Sequence, residues 1–375
     1  MSFSEEVYRQ VSLCSRCGYC RNACQTSEVR LSESWNPRGR IILVADYIDK
    51  LLGDVSEDYS DRIYSCLLCG RCESYCPSHV QVVETMEKAR EILVKEGFAS
   101  EKVKSISENI IGTGNPEGLP RKRIYRGVNH AARGKTLLFR GCTASLHTVD
   151  DLRAAEMLLR SAEYPFFEFP DEICCGYPLE VLGYEADASR IYSRNHQKMM
   201  EAGVKKVVTA CPYCYRVLHE RYPRHIDGFE VEALHIIDLF NELMDEGKLT
   251  PIMSVDLKVS YQDPCALGRG SLYQELARHF IERVPGVRLM ENEDSKSKCC
   301  GAGSYLPHLF PKIYQEIRTK RVEEFISVGA QAVITSCPTC LYTLREASKN
   351  KLIAVDGLSS LLAISVGLDS SVSTS

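Results

Sequence analysis

At 375 residues, with 44% hydrophobic and 26% charged residues, the chain has the composition of a soluble globular protein large enough for two or three domains. Its formal net charge of -4 leaves no electrostatic case for nucleic acid. The polar start, MSFSEEVYRQ, does not read as a secretory signal, and the longest apolar runs, Ile41–Ala45 and the region of Leu361–Val366, are far too short to span a bilayer.

All 18 cysteines fall into two patterns. The first, C-x2-C-x2-C-x3-C, occurs at Cys14, Cys17, Cys20, Cys24 and again at Cys66, Cys69, Cys72, Cys76. The 41 residues between the two runs read as helix, with Pro37 near its start and Ile41, Ile42, Val44, Ala45, Ile48 and Leu52 at near-helical spacing before Gly53. Beyond Cys76-Pro77 a second helical stretch, Val82–Lys95, closes at Gly97. Residues 1–98 are therefore expected to form an all-helical two-cluster ferredoxin-type domain. With this spacing, three cysteines of each run close on one cubane and the fourth reaches its neighbour. Cys14, Cys17, Cys20 and Cys76 would hold one [4Fe–4S] cluster, and Cys66, Cys69, Cys72 and Cys24 the other. Zinc knuckles fit less well, because zinc sites seldom use four closely spaced cysteines twice. Residues 99–134 are polar, with Gly and Pro clustered at Gly112–Pro120 and a basic run at Arg121–Arg123, and read as a connector.

From Lys135 the chain repeats itself, giving units expected at 135–250 and 251–375. The second cysteine pattern runs Cys142, Cys174-Cys175-Gly176, Cys211, Cys214, then Cys265, Cys299-Cys300-Gly301, Cys337, Cys340. Equivalent cysteines lie 123, 125 and 126 residues apart. Short strands are expected at Thr136–Phe139 and Lys258–Tyr261, helices at Asp150–Ala162 and Leu272–Arg283, and second strands at Pro165–Phe169 and Val287–Met290. Helices at Ala188–Ala202 and Lys312–Val328 precede strands at Val207–Ala210 and Ala332–Thr335, which deliver Cys-Pro-x-Cys into a helix. Alternating strands and helices predict parallel α/β units with ligands at strand ends.

Five thiols per copy exceed the four that a cubane or tetrahedral zinc uses, and adjacent cysteines suit a larger or irregular cluster. Proline fits the first turn of a helix, whose N-terminus favours thiolate. Reading Cys211/Cys214 with Cys337/Cys340 as one zinc site, or each pair as a redox dithiol, leaves the other six cysteines idle. Gly112-x-Gly114 has Glu117 where the third glycine of a dinucleotide fingerprint belongs, and Gly134-Lys135-Thr136 has Asn129 where a P-loop needs glycine, so neither flavin nor NAD is expected on this chain. The nine histidines share no ligand spacing and read as surface or cap residues. Arg140, His147 and Arg269 could meet an anionic substrate but read more simply as solvated positions. Tyr177 and Tyr305 read as packing residues beside the Cys-Cys-Gly turns.

On these residues the chain resembles the D-type subunits of heterodisulfide reductase and their relatives, with Asn36-Pro37-Arg38-Gly39-Arg40 and Asn115-Pro116-x-Gly118 as further shared features. The resemblance implies two cubane and two non-cubane [4Fe–4S] clusters, the latter on the cysteine-rich (CCG) repeats, where a disulfide is cleaved or thiols are joined. It also implies redox partners, either a flavoprotein or a membrane cytochrome or quinone-reactive subunit, and a small-molecule thiol or disulfide substrate. The expected location is cytoplasmic, at the inner face of the membrane if a partner holds it there. Related iron–sulfur subunits of glycolate oxidase and glycerol-3-phosphate dehydrogenase instead pass electrons from a flavoprotein toward quinone. A cluster scaffold that mainly organises an assembly is a third reading. Both copies of the repeat are complete here, and disulfide cleavage takes two electrons, so two substrate-facing clusters would suit it.

Overall fold

The structure, a computed structural model, describes residues 5–52, 55–131, 133–269, 271–291 and 298–368. Gly53, expected to close the spacer helix, lies outside the described residues. That helix is Pro37–Ile48. The Asn36 side chain accepts from the Gly39 amide at 3.0 Å, and Pro37 occupies the first turn, where a missing N–H costs nothing. Gly39 is required by proximity: a Cβ there would lie 2.0 Å from the Glu33 carbonyl oxygen. Helix Val82–Lys95 matches its expected span.

Ile41, Val44, Ile63, Met86 and Leu93 from the N-terminal helices share one core with Val103, Ile106 and Ile110. The last three belong to helix Glu101–Thr113, inside the segment read as a connector. That part is helix, because apolar residues at i, i+3 and i+7 bury one face despite the polar composition around them.

Among the described residues seven strands follow: β1 Thr136–Leu138, β2 Lys206–Thr209, β3 Glu232–His235, β4 Leu257–Tyr261, β5 Val287–Leu289, β6 Ala332–Thr335 and β7 Ala354–Gly357. They make two parallel sheets, β1-β2-β3 and β5-β4-β6-β7. The strand expected at Pro165–Phe169 forms only isolated bridges, Phe167 to Leu137 and Glu168 to His130. Pro165 and Pro170 flank it and supply no amides, so the ladder cannot grow. Its place beside β1 nevertheless matches that of β5 beside β4, so both repeats have one topology.

The repeats share a core. Leu138, Leu158, Val208, Ile237 and Phe240 from the first pack in one cluster with Val259, Phe280, Ile281, Ile334 and Leu361 from the second. Helix Val149–Ser161 lies against helix Leu358–Ser365 of the other repeat. There Asp151 is buried and accepts from the Ser360 amide at 2.8 Å and the Ser360 hydroxyl at 3.1 Å. No helix among the described residues is long and apolar enough to cross a membrane.

Candidate metal centres and the cleft between the repeats

The N-terminal cysteines gather in two groups. Cys14, Cys17, Cys20 and Cys76 line one small hollow with Arg38. Burial and the neighbouring Cys14 and Cys76 thiols push Cys20 up to about 11. Cys72 is pushed well up by burial and by the Cys69, Cys66 and Cys24 thiols. The Asn-Pro-Arg-Gly-Arg turn serves both sets. Arg38 acts electrostatically on Cys20 and Cys14, while Nη1 of the buried Arg40 donates to the Cys24 sulfur at 3.8 Å.

In the first repeat, side-chain hydrogen bonds link the thiols in an unbroken series: Cys142, Cys174, Cys175, Cys214, Cys211. The second repeats it residue for residue: Cys265, Cys299, Cys300, Cys340, Cys337. Hydrogen bonds from Cys174 and Cys214 pull Cys175 down to about 6, and those from Cys299 and Cys340 pull Cys300 down to about 5. Each set is therefore separate and complete, and the Cys-Pro-x-Cys pairs do not form one shared site.

Local backbone builds each set. Cys211 and Cys337 are the N-caps of helices Pro212–Arg216 and Pro338–Ser348, with proline in the first turn, directly beyond β2 and β6. In both Cys-Cys-Gly turns the glycine amide donates back to the first sulfur, at 3.5 Å in Gly176 and 3.4 Å in Gly301. These glycines have φ of 94° and 102°, which disfavours any residue with a Cβ.

The donor sets contain only thiols, the soft ligands that suit iron–sulfur clusters. Among the described residues, no group of three Cys, His, Asp or Glu is arranged to hold a single metal ion. A [4Fe–4S] cluster takes its thiolates on different irons, so this bears on mononuclear sites.

A cleft opens beside the first set. Cys142, Cys175, Cys211 and Cys214 line it on one side, and Ala302, Tyr305, Tyr342 and Thr339 of the second repeat on the other. No cysteine of the second set lines it among the described residues. Cys265 instead borders a separate groove with Cys69 and Arg269. Of the two five-thiol sets, the first alone opens onto this cleft among the described residues.

Tyrosines cross between the repeats. Tyr305 lies beside the first set, its hydroxyl pushed well up by burial and by the Cys142, Cys174 and Cys175 thiols. The Tyr213 hydroxyl reaches the Cys265 sulfur at 3.3 Å, and its ring stacks on Tyr177 at 4.5 Å. Tyr177 and Tyr305 do pack at the sites, as expected, and they also wall the cleft.

Arg140, His147 and Arg269 are not solvated positions. Arg140 is buried between Glu168 and Glu172, at 3.9 and 3.8 Å. His147 stands in the cleft, paired with Glu117 and stacked on Tyr342 at 4.2 Å. The terminal nitrogens of Arg269 are shielded from water. His235 does cap a helix, but from a buried position.

Glu117 carries no motif that marks it in the sequence. It belongs to the Asn115-Pro116-Glu117-Gly118 turn, in which Asn115 accepts from the Glu117 and Leu119 amides at 3.2 and 3.1 Å. Asn115 was the available signal, since an asparagine in a Gly/Pro-rich stretch folds a turn. Arg90 is equally unmarked. It is fully buried and donates to the carbonyls of Ile63, Tyr64, Cys66 and Val181 and to the Ser304 hydroxyl, tying the N-terminal domain to both repeats.

The cysteine-rich (CCG) domain model matches residues 136–219 and again 259–345, and the 4Fe-4S dicluster domain model matches residues 10–80. The chain therefore carries two cysteine-rich (CCG) domains behind a 4Fe-4S dicluster domain. This CCG protein is 27% identical over 387 residues to the D subunit of the dihydromethanophenazine:CoB–CoM heterodisulfide reductase of Methanosarcina acetivorans, covering 96% of this chain and 95% of that one. It is also 27% identical to the B subunit of the fumarate reductase (CoM/CoB) of Methanothermobacter marburgensis, over 89% of this chain and 67% of the relative. The EtfAB:quinone oxidoreductase of Syntrophomonas wolfei is 27% identical over 77% of this chain and 44% of its own. Among solved structures, a hypothetical protein from Helicobacter pylori has a TM-score of 0.60 at 13% identity, covering 97% of this chain and 72% of that one, a likeness of fold alone. The CCG protein is thus an iron–sulfur oxidoreductase subunit related to the D subunits of heterodisulfide reductases.

Proposed function

We propose that electrons enter this subunit through its N-terminal domain and reduce a disulfide at the cysteine-rich sites. The S–S bond breaks, two electrons and two protons are taken up, and two thiols leave. A partner redox subunit, a flavoprotein or a quinone-reactive protein, supplies the electrons. Cys14, Cys17, Cys20, Cys76 and Cys66, Cys69, Cys72, Cys24 would hold two cubane clusters. Cys142, Cys174, Cys175, Cys211, Cys214 and Cys265, Cys299, Cys300, Cys337, Cys340 would hold two non-cubane ones. When bound, such clusters supply one-electron transfer.

The observation that carries this reading is the completeness of both five-thiol sets, with the first opening on a cleft between the repeats. The chain's own part is to receive and orient the substrate. Tyr177, Tyr305 and Tyr342 offer flat apolar surface, and the Glu117–His147 pair closes one wall. The described lining includes no lysine or arginine, so the cleft suits a thiol or disulfide with an uncharged body.

A thiol-dependent paramagnetic signal tests the proposal. The anaerobically purified chain, loaded with clusters, is oxidised with and without 2-mercaptoethanol and followed by electron paramagnetic resonance. The proposal expects a new signal only with thiol, together with disulfide reduction driven by a reduced dye. The likeness to the EtfAB:quinone oxidoreductase favours a second reading, in which the subunit only relays electrons from a flavoprotein toward quinone. No thiol response, with electron relay intact, would support that reading. Full clusters without either activity would leave a scaffold.

A further inference from the structure

Arg269 stands four residues after Cys265 and spans the junction between the N-terminal domain and the second repeat. Its Nε donates to the Cys69 carbonyl at 3.0 Å. Nη1 and Nη2 are shielded from solvent and have no hydrogen-bond partner. The groups acting on its charge are the thiols of Cys265, Cys69 and Cys299, then Asp263. Asp263 is already engaged by Arg278 at 2.9 Å. A buried charge without a partner is costly, so thiolates ligating a cluster would be its natural counter-charges. The same junction is fastened by Gln25, beside Cys24, whose amide group bonds both the N–H and the carbonyl of Cys299, at 2.8 and 2.9 Å. The first repeat has Leu146 at the position equivalent to Arg269.

We infer that Arg269 is a positioning residue that raises the reduction potentials of the two sites flanking it, the Cys24–Cys66–Cys69–Cys72 set and the second cysteine-rich set, and so makes this junction the point where electrons cross into the repeats. A positive charge beside a centre favours its reduced, more negative state. Burial protects that effect from salt. The inference holds whether the subunit reduces a disulfide or relays electrons.

The test is a redox titration of the full, cluster-loaded chain followed by electron paramagnetic resonance. Arg269→Gln should lower the potential at the two flanking sites by about tenfold in the reduction equilibrium, about 59 mV for a one-electron couple. The Cys14–Cys17–Cys20–Cys76 signal and that of the first repeat should stay in place. Arg269→Lys, which keeps the charge, should remain within about twofold of the parent. Unmoved potentials in a fully loaded Arg269→Gln overturn the inference. If that variant fails to load, Arg269→Lys decides, since a tenfold fall there would mean that charge is not the cause.

Discussion

The two cysteine-rich repeats carry the same five-thiol series on the same parallel strand order, yet different parts of the molecule hold their Cys-Cys turns. In the first repeat the Cys174 amide donates to the Gly114 carbonyl at 2.8 Å, and Asn195 and Tyr222 bond the Cys174 and Cys175 carbonyls at 3.0 and 3.1 Å. In the second, Gln25 of the N-terminal domain does that work. The first site therefore faces the cleft, and the second faces the ferredoxin-type domain. Duplication supplied two equal ligand sets, and their surroundings made them unequal.

The largest expected effect comes from the ligands. Cys174→Ser and Cys299→Ser should each abolish the signal of their own repeat, because serine is a harder ligand poorly matched to iron–sulfur sites. The ferredoxin-type signals should survive in both, since those ligands lie before residue 77 on their own helices. If only Cys174→Ser removes the thiol-dependent signal, the first site is the one that meets substrate.

The Cys-Cys-Gly turns come next. At Gly176 a Cβ would lie 2.5 Å from the Tyr192 ring, whereas at Gly301 it would lie 3.0 Å from the Cγ2 methyl of Ile317. Both substitutions by alanine also force a residue with a Cβ into positive φ, at about 1–2 kcal/mol. Denaturant unfolding should show Gly176→Ala losing about 1–3 kcal/mol more than Gly301→Ala, because its clash with the ring is the tighter of the two. Equal losses would deny that the two turns differ in packing.

Gln25→Ala should release the second site from the N-terminal domain, costing about 1–3 kcal/mol for buried backbone groups left unpaired. Iron loss on mild chelation should then be faster from the second repeat only. Asn195→Ala should do the same to the first.

The smallest effect concerns acid. His235 ends β3 and pairs in register with Thr209, just as Gly357 ends β7 and pairs with Thr335. Buried, His235 donates to the Ala210 carbonyl and accepts from the Ile237 amide, and burial pulls it down to about 4. Gly357 has no side chain because Asp151 fills that space, with a Cβ meeting its carboxylate at 2.0 Å, and burial pushes Asp151 up to about 6. His235 therefore favours the fold above its unfolded value of 6.5, and that contribution is lost as pH falls toward 4. Asp151 contributes below 3.8, and its part is lost as pH rises through 6. Between about pH 5 and 6 the two slopes oppose. Relative to the parent, His235→Asn should make the slope of stability against pH more negative by about 1.4 kcal/mol per pH unit, and Asp151→Asn should make it more positive by as much. Slopes unchanged from the parent in both single variants would contradict the assignment.

Much of this was legible in the sequence because cysteine spacing is a local signal. The crossed N-terminal sets, the duplicated five-thiol sets and the helix Val82–Lys95 follow from spacing and periodicity. Strands β3 and β7 were not visible, because Leu234-His235 and Val355-Asp356 run directly into helices without a loop between them. The cleft walls were hidden for a different reason. Glu117, Tyr305 and Tyr342 are far apart in the chain, and only the packing of the repeats brings them together. Arg90 and Arg269 look like ordinary surface arginines until the packing of the N-terminal domain against the repeats covers them.

Metal content tests the central claim most directly, that both repeats hold clusters as well as the N-terminal domain. Iron and acid-labile sulfide should be counted on the anaerobically purified full chain. Four [4Fe–4S] units give about sixteen irons per chain with matching sulfide. About eight irons, with zinc making up the remainder, would restrict the clusters to the N-terminal domain and contradict the account.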